Sequence, residues 1–176
     1  MHIRNYEFKA RIEGIEQYEQ QLLKLSPRFV GEDHQIDTYF NAPQGRLKLR
    51  EGDIENALIH YDRQDLQGSK LSNVILYKHK PDGALKDILI RQLGIKVVVD
   101  KRRRIYFIDN VKFHLDRVAG LGTFLEVEAI DDSGCYTIEE LKEQCDKYYE
   151  YFKLNQQDLI EKSYSDLLLE QQMDSP

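Results

Sequence analysis

The chain has 176 residues and a mass of 20.8 kDa, enough for one domain with a full apolar core. Hydrophobic residues at 41% and charged residues at 32% exclude a disordered chain. The net charge of -6 is opposite in sign to that of a nucleic-acid binder, and no run approaches the roughly 18 apolar residues of a membrane span.

The opening MHIRNYEF lacks the apolar stretch of a secretory leader, so a cytoplasmic protein is expected. Residues 3–12, IRNYEFKARI, alternate strictly. Tyr6, Phe8, Ala10 and Ile12 share one face and Asn5, Glu7, Lys9 and Arg11 the other, which predicts a strand. Ile15, Tyr18, Leu22 and Leu25 recur at helical spacing until Pro27 closes the segment. QIDTYF, 35–40, reads as a short strand and NAPQG, 41–45, as a turn. In RLKLRE, Arg46, Lys48 and Arg50 lie opposite Leu47 and Leu49. ALIHYDR, 57–63, alternates with Arg63 in phase with Ile59 and Tyr61. A polar loop over 64–73 leads into the strand NVILYKH.

DGALKDILIRQLG, 82–94, predicts a helix with Asp82 as N-cap, a stripe of Leu85, Ile88, Leu89 and Leu93, and Gly94 as its stop. VVVDKRRRIYF, 97–107, is a strand and Asp109-Asn110 a tight hairpin. VKFHLD, 111–116, places Lys112, His114 and Asp116 on one face. After VAGLG, the strand FLEVEAI, 124–130, sets Glu126 and Glu128 opposite Leu125, Val127 and Ala129. A helix begins near Thr137, where Glu140 completes a capping box, with Ile138, Leu141, Cys145, Tyr148 and Phe152 as its stripe. A last helix is expected over 157–169, with a frayed tail over 171–176. Ten acidic residues and four lysines from Glu139 onward account for the whole net charge, so residues 1–138 balance to zero. Cys135 and Cys145 form no metal or redox spacing, which fits a reducing compartment.

One charged strand face is ordinarily a solvated face. Roughly seven in one chain, with several apolar helix stripes in need of a sheet, predict something else. The fold class expected is α+β: an antiparallel barrel over 1–131 with helices 137–170 packed outside, its charged faces turned into a shared interior. Such an interior is costly unless it is wet, paired or built for an ionic ligand. The inward cations are Lys9, Arg11, Lys48, Arg50, Arg63, Lys101 and Arg103, with Arg46 near the rim. The inward anions are Glu7, Asp116, Glu126 and Glu128. Rows of arginine and lysine suit polyphosphate oxygens, and grouped carboxylates suit Mg2+ or Mn2+. Glu126 and Glu128 are expected roughly 6–7 Å apart along their strand.

These blocks resemble a known family. NYEFKAR is similar to the ExExK signature of the CYTH superfamily, the triphosphate tunnel metalloenzymes, and DTYFN, GRLKLRE, KRRRIYF, HLDRVAGLGTFLEVEA and SYSDLL follow in order. The run resembles the class IV adenylate cyclase branch over nearly the whole chain. The resemblance implies one eight-stranded tunnel domain that binds a triphosphate and divalent metal. It implies catalytic roles for Glu7, Lys9, Lys101 and Arg103, and triphosphate binding by Lys9, Arg11, Lys48, Arg50, Arg63, Lys101 and Arg103. It implies metal binding by Glu7, Asp116, Glu126 and Glu128. At one position the chain departs: Asn5 stands where the signature has its first Glu, offering a carbonyl oxygen but no charge.

Cyclisation of ATP, hydrolysis of tripolyphosphate, thiamine triphosphate or a nucleoside triphosphate, and binding without turnover all draw on the same inward residues. His114 reads as a hydrogen-bonded wall residue or an aid to acid–base chemistry. The run Lys-Arg-Arg-Arg at 101–104 divides between two strand faces and does not form a nucleic-acid patch. The C-terminal helices are free to cover the barrel or to join two copies as a homodimer, and the sequence leaves both open.

Overall fold

The computed structural model describes the backbone of residues 1–66 and 69–174; the side chains of 63–70 lie outside the described part. Eight strands form the wall: β1 (His2–Arg11), β2 (Arg28–Phe40), β3 (Arg46–Gly52), β4 (Ala57–Leu66), β5 (Ser69–Lys78), β6 (Ile95–Ile108), β7 (Val111–Val118) and β8 (Gly122–Asp131). They close into an antiparallel barrel in the order β1-β5-β4-β3-β2-β6-β7-β8. Closure removes sheet edges and gives every strand one inward and one outward face.

The helices are α1 (Glu16–Leu23), α2 (Gly83–Leu93), α3 (Ile138–Tyr151) and α4 (Tyr164–Asp174), with a single 3-10 turn at Gln156–Asp158. Among the described residues no helix is long and apolar enough to cross a membrane. The outward faces of β1, β7 and β8 carry the apolar half of each alternation, such as Phe8, Phe113 and Val127. They pack under Leu22 of α1 and under Leu141, Cys145, Tyr148 and Phe152, in and just after α3. Phe113 and Tyr148 meet edge to face at 4.7 Å. Each large side chain buried this way contributes about 1.5–3 kcal/mol. The capping box forms as read: Thr137 Oγ1 accepts from the Glu140 N–H at 3.2 Å and Glu140 Oε2 from the Thr137 N–H at 2.7 Å.

A second apolar cluster lies inside the barrel near one end. Tyr39, Ile59, Tyr61, Val99 and Phe124 meet Tyr164 from the start of α4. Val99 and Phe124, which do not border the interior cavity, form an apolar plug at that end, whereas Tyr39, Ile59, Tyr61 and Tyr164 also line the cavity.

Three boundaries differ from the sequence reading. β2 begins at Arg28, seven residues before the expected strand, because Gly31 and a register shift at Phe29/Gly31 hide its alternation. The hairpin expected as a loop over 64–73 is mostly ladder, with Gln64 opposite Leu71; residues 67 and 68 lie outside the described residues. The last helix starts at Tyr164, where Ser163 Oγ caps the Asp166 N–H at 3.1 Å, and runs to Asp174 through part of the expected frayed tail.

Candidate functional site

The inward faces enclose a cavity of about 730 Å³. Its wall has two parts. β1, β2, β3, β6, β7 and β8 contribute charged or polar groups, whereas the described side chains of β4 and β5 contribute Ala57, Ile59, Tyr61, Val74 and Leu76 beside Ser72, with Lys78 at the end of β5.

The first cationic group surrounds Asp37. Arg50 grips it with two bonds, Nε to Oδ1 and Nη2 to Oδ2, both at 2.9 Å. Lys101 Nζ donates to Oδ2 at 2.6 Å and Lys48 Nζ at 3.1 Å. Burial alone would raise the Asp37 pKa, but Arg50, Lys101 and Lys48 outweigh it and hold the carboxyl well below its usual range. One carboxylate thus serves three cations. Lys101 is correspondingly pushed down to about 7, by burial first and then by Arg50, Arg103 and Lys48, with Asp37 opposing.

Arg103 anchors the second group. It makes two bonds to Asp116, each 2.7 Å, and reaches Glu126 Oε2 at 2.9 Å. The Tyr164 hydroxyl donates to Asp116 Oδ2 at 2.7 Å. The Tyr164 ring lies 4.1 Å from Lys9 Nζ, and Lys9 stands 3.8 Å from Glu126 Oε1. α4 therefore meets Lys9 directly and Arg103 through their shared partner Asp116.

Glu55 enters from the β3–β4 connection. It accepts from Arg50 Nη1 and Gln35 Nε2, each at 3.1 Å, and from Lys112 Nζ. The attraction of Lys112 and Arg50 exceeds the cost of its burial and lowers its pKa. Asp33 fixes this connection by accepting from the Ile54 and Glu55 N–H groups at 2.9 and 3.0 Å. Gly52 is required there, since a Cβ would lie 2.7 Å from Asp33 Oδ1 and 2.8 Å from the Glu55 carbonyl.

The acidic end arises from cross-strand register: Glu7 opposes Glu128, Lys9 opposes Glu126, and His114 opposes Glu126 from β7. His114, Glu126 and Glu128 each offer one ligand atom, all within 4.8 Å of one another. Glu128 is pushed up to about 7 by burial, with Glu126 and Glu7 adding. His114 is pushed down to about 3 by burial, with Arg103 and Lys112 adding, so its imidazole is neutral at physiological pH. Asn5 Oδ1 and His114 Nε2 are buried without a hydrogen-bond partner among the described residues. Crowded carboxylates and orphaned acceptors are what a divalent cation relieves, so this end fits Mg2+ or Mn2+.

Of the residues read from the sequence, Glu7, Lys9, Lys48, Arg50, Lys101, Arg103, Glu126 and Glu128 border the one cavity. Arg11 does not. It stands at the end of β1, donates to the Leu121 carbonyl at 2.6 Å and stacks on Phe124, because the apolar plug fills the barrel at its level. Asp116 lies behind Arg103 with both oxygens engaged, rather than on the cavity surface. Arg46 is held by Ser163 and Asp166 of the α4 start. The Arg63 side chain lies outside the described residues. Asp37 and Glu55 join the site without having been singled out, and Lys112, read on the His114 face, joins it without having been assigned a role. Asp37 was visible as the polar residue in phase with Tyr39 in QIDTYF; Glu55 sits in a loop, where periodicity says nothing.

The comparisons with known proteins agree with this architecture. The family model described as "CYTH domain" matches residues 4–164. A protein of Methanocaldococcus jannaschii named "Putative adenylate cyclase MJ0240" is 27% identical over 179 residues, covering 92% of this chain and 96% of that protein. The solved PH1012 protein of Pyrococcus horikoshii superposes with a TM-score of 0.79 at 26% identity, over 93% of this chain and 98% of its own. HpAC1 from Hippeastrum, whose structure is described with a dominant triphosphatase activity, shares the fold with a TM-score of 0.60 at 14% identity, over 100% of this chain and 98% of its own. With the family model spanning nearly the whole barrel, the chain belongs to the CYTH domain family.

Proposed function

We propose that the chain is a metal-dependent enzyme that takes a nucleoside triphosphate into the barrel, with conversion of ATP to cyclic AMP and pyrophosphate as the leading reaction. The observation that carries this reading is the two-part wall, charged on six strands and, among the described residues, mainly apolar along β4 and β5 from Ala57 to Tyr61 and from Val74 to Leu76. Polyphosphate oxygens suit Lys48, Arg50, Lys101, Arg103 and Lys9. A base and ribose suit the side formed by Tyr61, Ile59, Val74 and Leu76. A volume of about 730 Å³ accommodates a ligand of that size.

In this reading the phosphates displace part of the internal ion pairing at Asp37 and Glu126. Glu7, Glu126 and Glu128 would hold Mg2+ or Mn2+. The bound cation would neutralise phosphate charge and acidify the attacking hydroxyl. Lys9, Lys101 and Arg103 stabilise charge on the transferred and leaving groups. Cyclisation joins the 3′-oxygen to the α phosphorus, breaks its bond to the bridging oxygen and expels pyrophosphate; the hydroxyl proton passes to solvent. The name of the archaeal relative agrees with this reaction.

Hydrolysis of tripolyphosphate, thiamine triphosphate or a nucleoside triphosphate is the second reading. The charged side of the cavity would hold a bare tripolyphosphate without help from β4 and β5, and the activity described for the Hippeastrum protein is of this kind. The test is product analysis with ATP and with tripolyphosphate, in Mg2+ or Mn2+. Cyclic AMP with pyrophosphate supports cyclisation and orthophosphate supports hydrolysis. Binding without turnover overturns the enzymatic reading.

A further inference from the structure

The two ring nitrogens of His114 have different surroundings. The residue is 1% exposed and faces Glu126 across the β7–β8 ladder. Nδ1 stands 3.3 Å from Glu126 Oε2, a position that calls for an N–H. Nε2 has no hydrogen-bond partner among the described residues and looks toward Glu128 Oε2 at 4.0 Å, beyond hydrogen-bond reach. With the proton on Nδ1, Nε2 presents a bare lone pair to a carboxylate. Two acceptors facing each other in a buried site repel unless a proton or a cation lies between them, and 4.0 Å is too long for a shared proton. The separation leaves room for an ion about 2.1 Å from each. An imidazole whose far nitrogen is fixed by a carboxylate is also the usual way proteins aim a histidine at a metal.

The sequence supplies a reason for a nitrogen donor here. Asn5 removes one carboxylate from β1, and its Oδ1 is likewise buried without a hydrogen-bond partner among the described residues. We propose that His114 Nε2 is a metal ligand. With Glu126 and Glu128 it completes a mixed nitrogen–oxygen site that takes a first-row transition ion such as Mn2+ ahead of Mg2+. The inference deepens the metal-dependent reading above and rests on it. Mg2+ strongly prefers oxygen and gives up water reluctantly, whereas first-row transition ions accept imidazole readily.

The experiment titrates metal-free protein with Mn2+ and records electron spin-echo modulation from nitrogen. Wild type is expected to bind Mn2+ with a directly coordinated 14N signal that changes when the histidines are 15N-labelled. Mg2+ is expected to compete only at concentrations about tenfold higher or more. His114→Gln is expected to abolish the nitrogen signal and bring the two metals close to parity. His79→Gln is the control, because His79 also borders the cavity, and it should leave the signal unchanged. Labelling of wild type and the His79 control keep the test decisive even if the His114 variant fails to fold. Bound Mn2+ without nitrogen coupling, or a signal lost in His79→Gln, overturns His114 as ligand and leaves the metal-dependent reading standing. Equal wild-type affinity for the two metals overturns the selectivity. Absence of Mn2+ binding overturns both the inference and the metal-dependent reading.

Discussion

The Tyr164 hydroxyl donates to Asp116 Oδ2 at 2.7 Å, and the same carboxylate makes two bonds to Arg103. The start of α4 is thereby tied to an inward cation of β6. Burial and the Asp116 charge together raise the Tyr164 pKa, so the phenol remains the donor across the physiological range. Tyr164→Phe keeps the ring under Lys9 but removes the donor. A hydrogen bond to a charged acceptor contributes about 1.5–3 kcal/mol, so urea unfolding should show a loss of that order. Triphosphate affinity should fall with it as Arg103 loosens. Unchanged stability would mean that the hydroxyl does not brace the site.

Asp37 is the counter-charge for Arg50, Lys101 and Lys48 together. Asp37→Asn should cost the free protein about 3–5 kcal/mol, because buried cations are left uncompensated. A bound triphosphate replaces the missing charge. Tripolyphosphate should therefore raise the melting temperature of the variant more than that of wild type. An equal shift in both would contradict the assignment of Asp37 as the group that phosphate displaces.

Lys101 carries the clearest pH signature. Its folded pKa of about 7 lies below the ordinary 10.5, so between these values the unfolded chain binds more protons than the folded one. Stability from this group therefore rises with pH across that window and is flat below it. A bound triphosphate favours the ammonium form. Calorimetry at about pH 8 in buffers of different ionisation enthalpy should then report proton uptake on binding. Lys101→Arg keeps the charge and should abolish the uptake; uptake that persists would assign it elsewhere.

Glu55 competes with phosphate for Arg50 and Lys112. Glu55→Gln should tighten tripolyphosphate binding by about tenfold, since a like charge in the path of the ligand is removed. Weaker binding in the variant would show that Glu55 positions the cations rather than occupying their place.

Alternation made the barrel legible. IRNYEFKARI, RLKLRE and FLEVEAI each expose their two faces in the sequence, and the inward halves meet because helix stripes such as Leu141, Cys145 and Tyr148 claim the outward ones. What periodicity could not give was depth along the barrel. Arg11 and Lys9 share a face on β1, yet Lys9 borders the cavity whereas Arg11 meets the plug, and no local signal marks that boundary. Nor does phase report which inward groups pair with each other. Asp116 is in phase with His114, but Arg103 and Tyr164 occupy both its oxygens. The contact from Tyr164 joins residues 48 positions apart.

Arg50 offers the most direct test of an anion-binding interior, since its guanidinium points into the cavity while its backbone ladder is independent of the side chain. Tripolyphosphate would be titrated calorimetrically into wild type and Arg50→Ala, with circular dichroism as the check on the fold. Saturable binding by wild type, weakened about tenfold or more in the folded variant, is the predicted result. Equal affinity in the two proteins, or no binding to wild type, would contradict a triphosphate-binding tunnel.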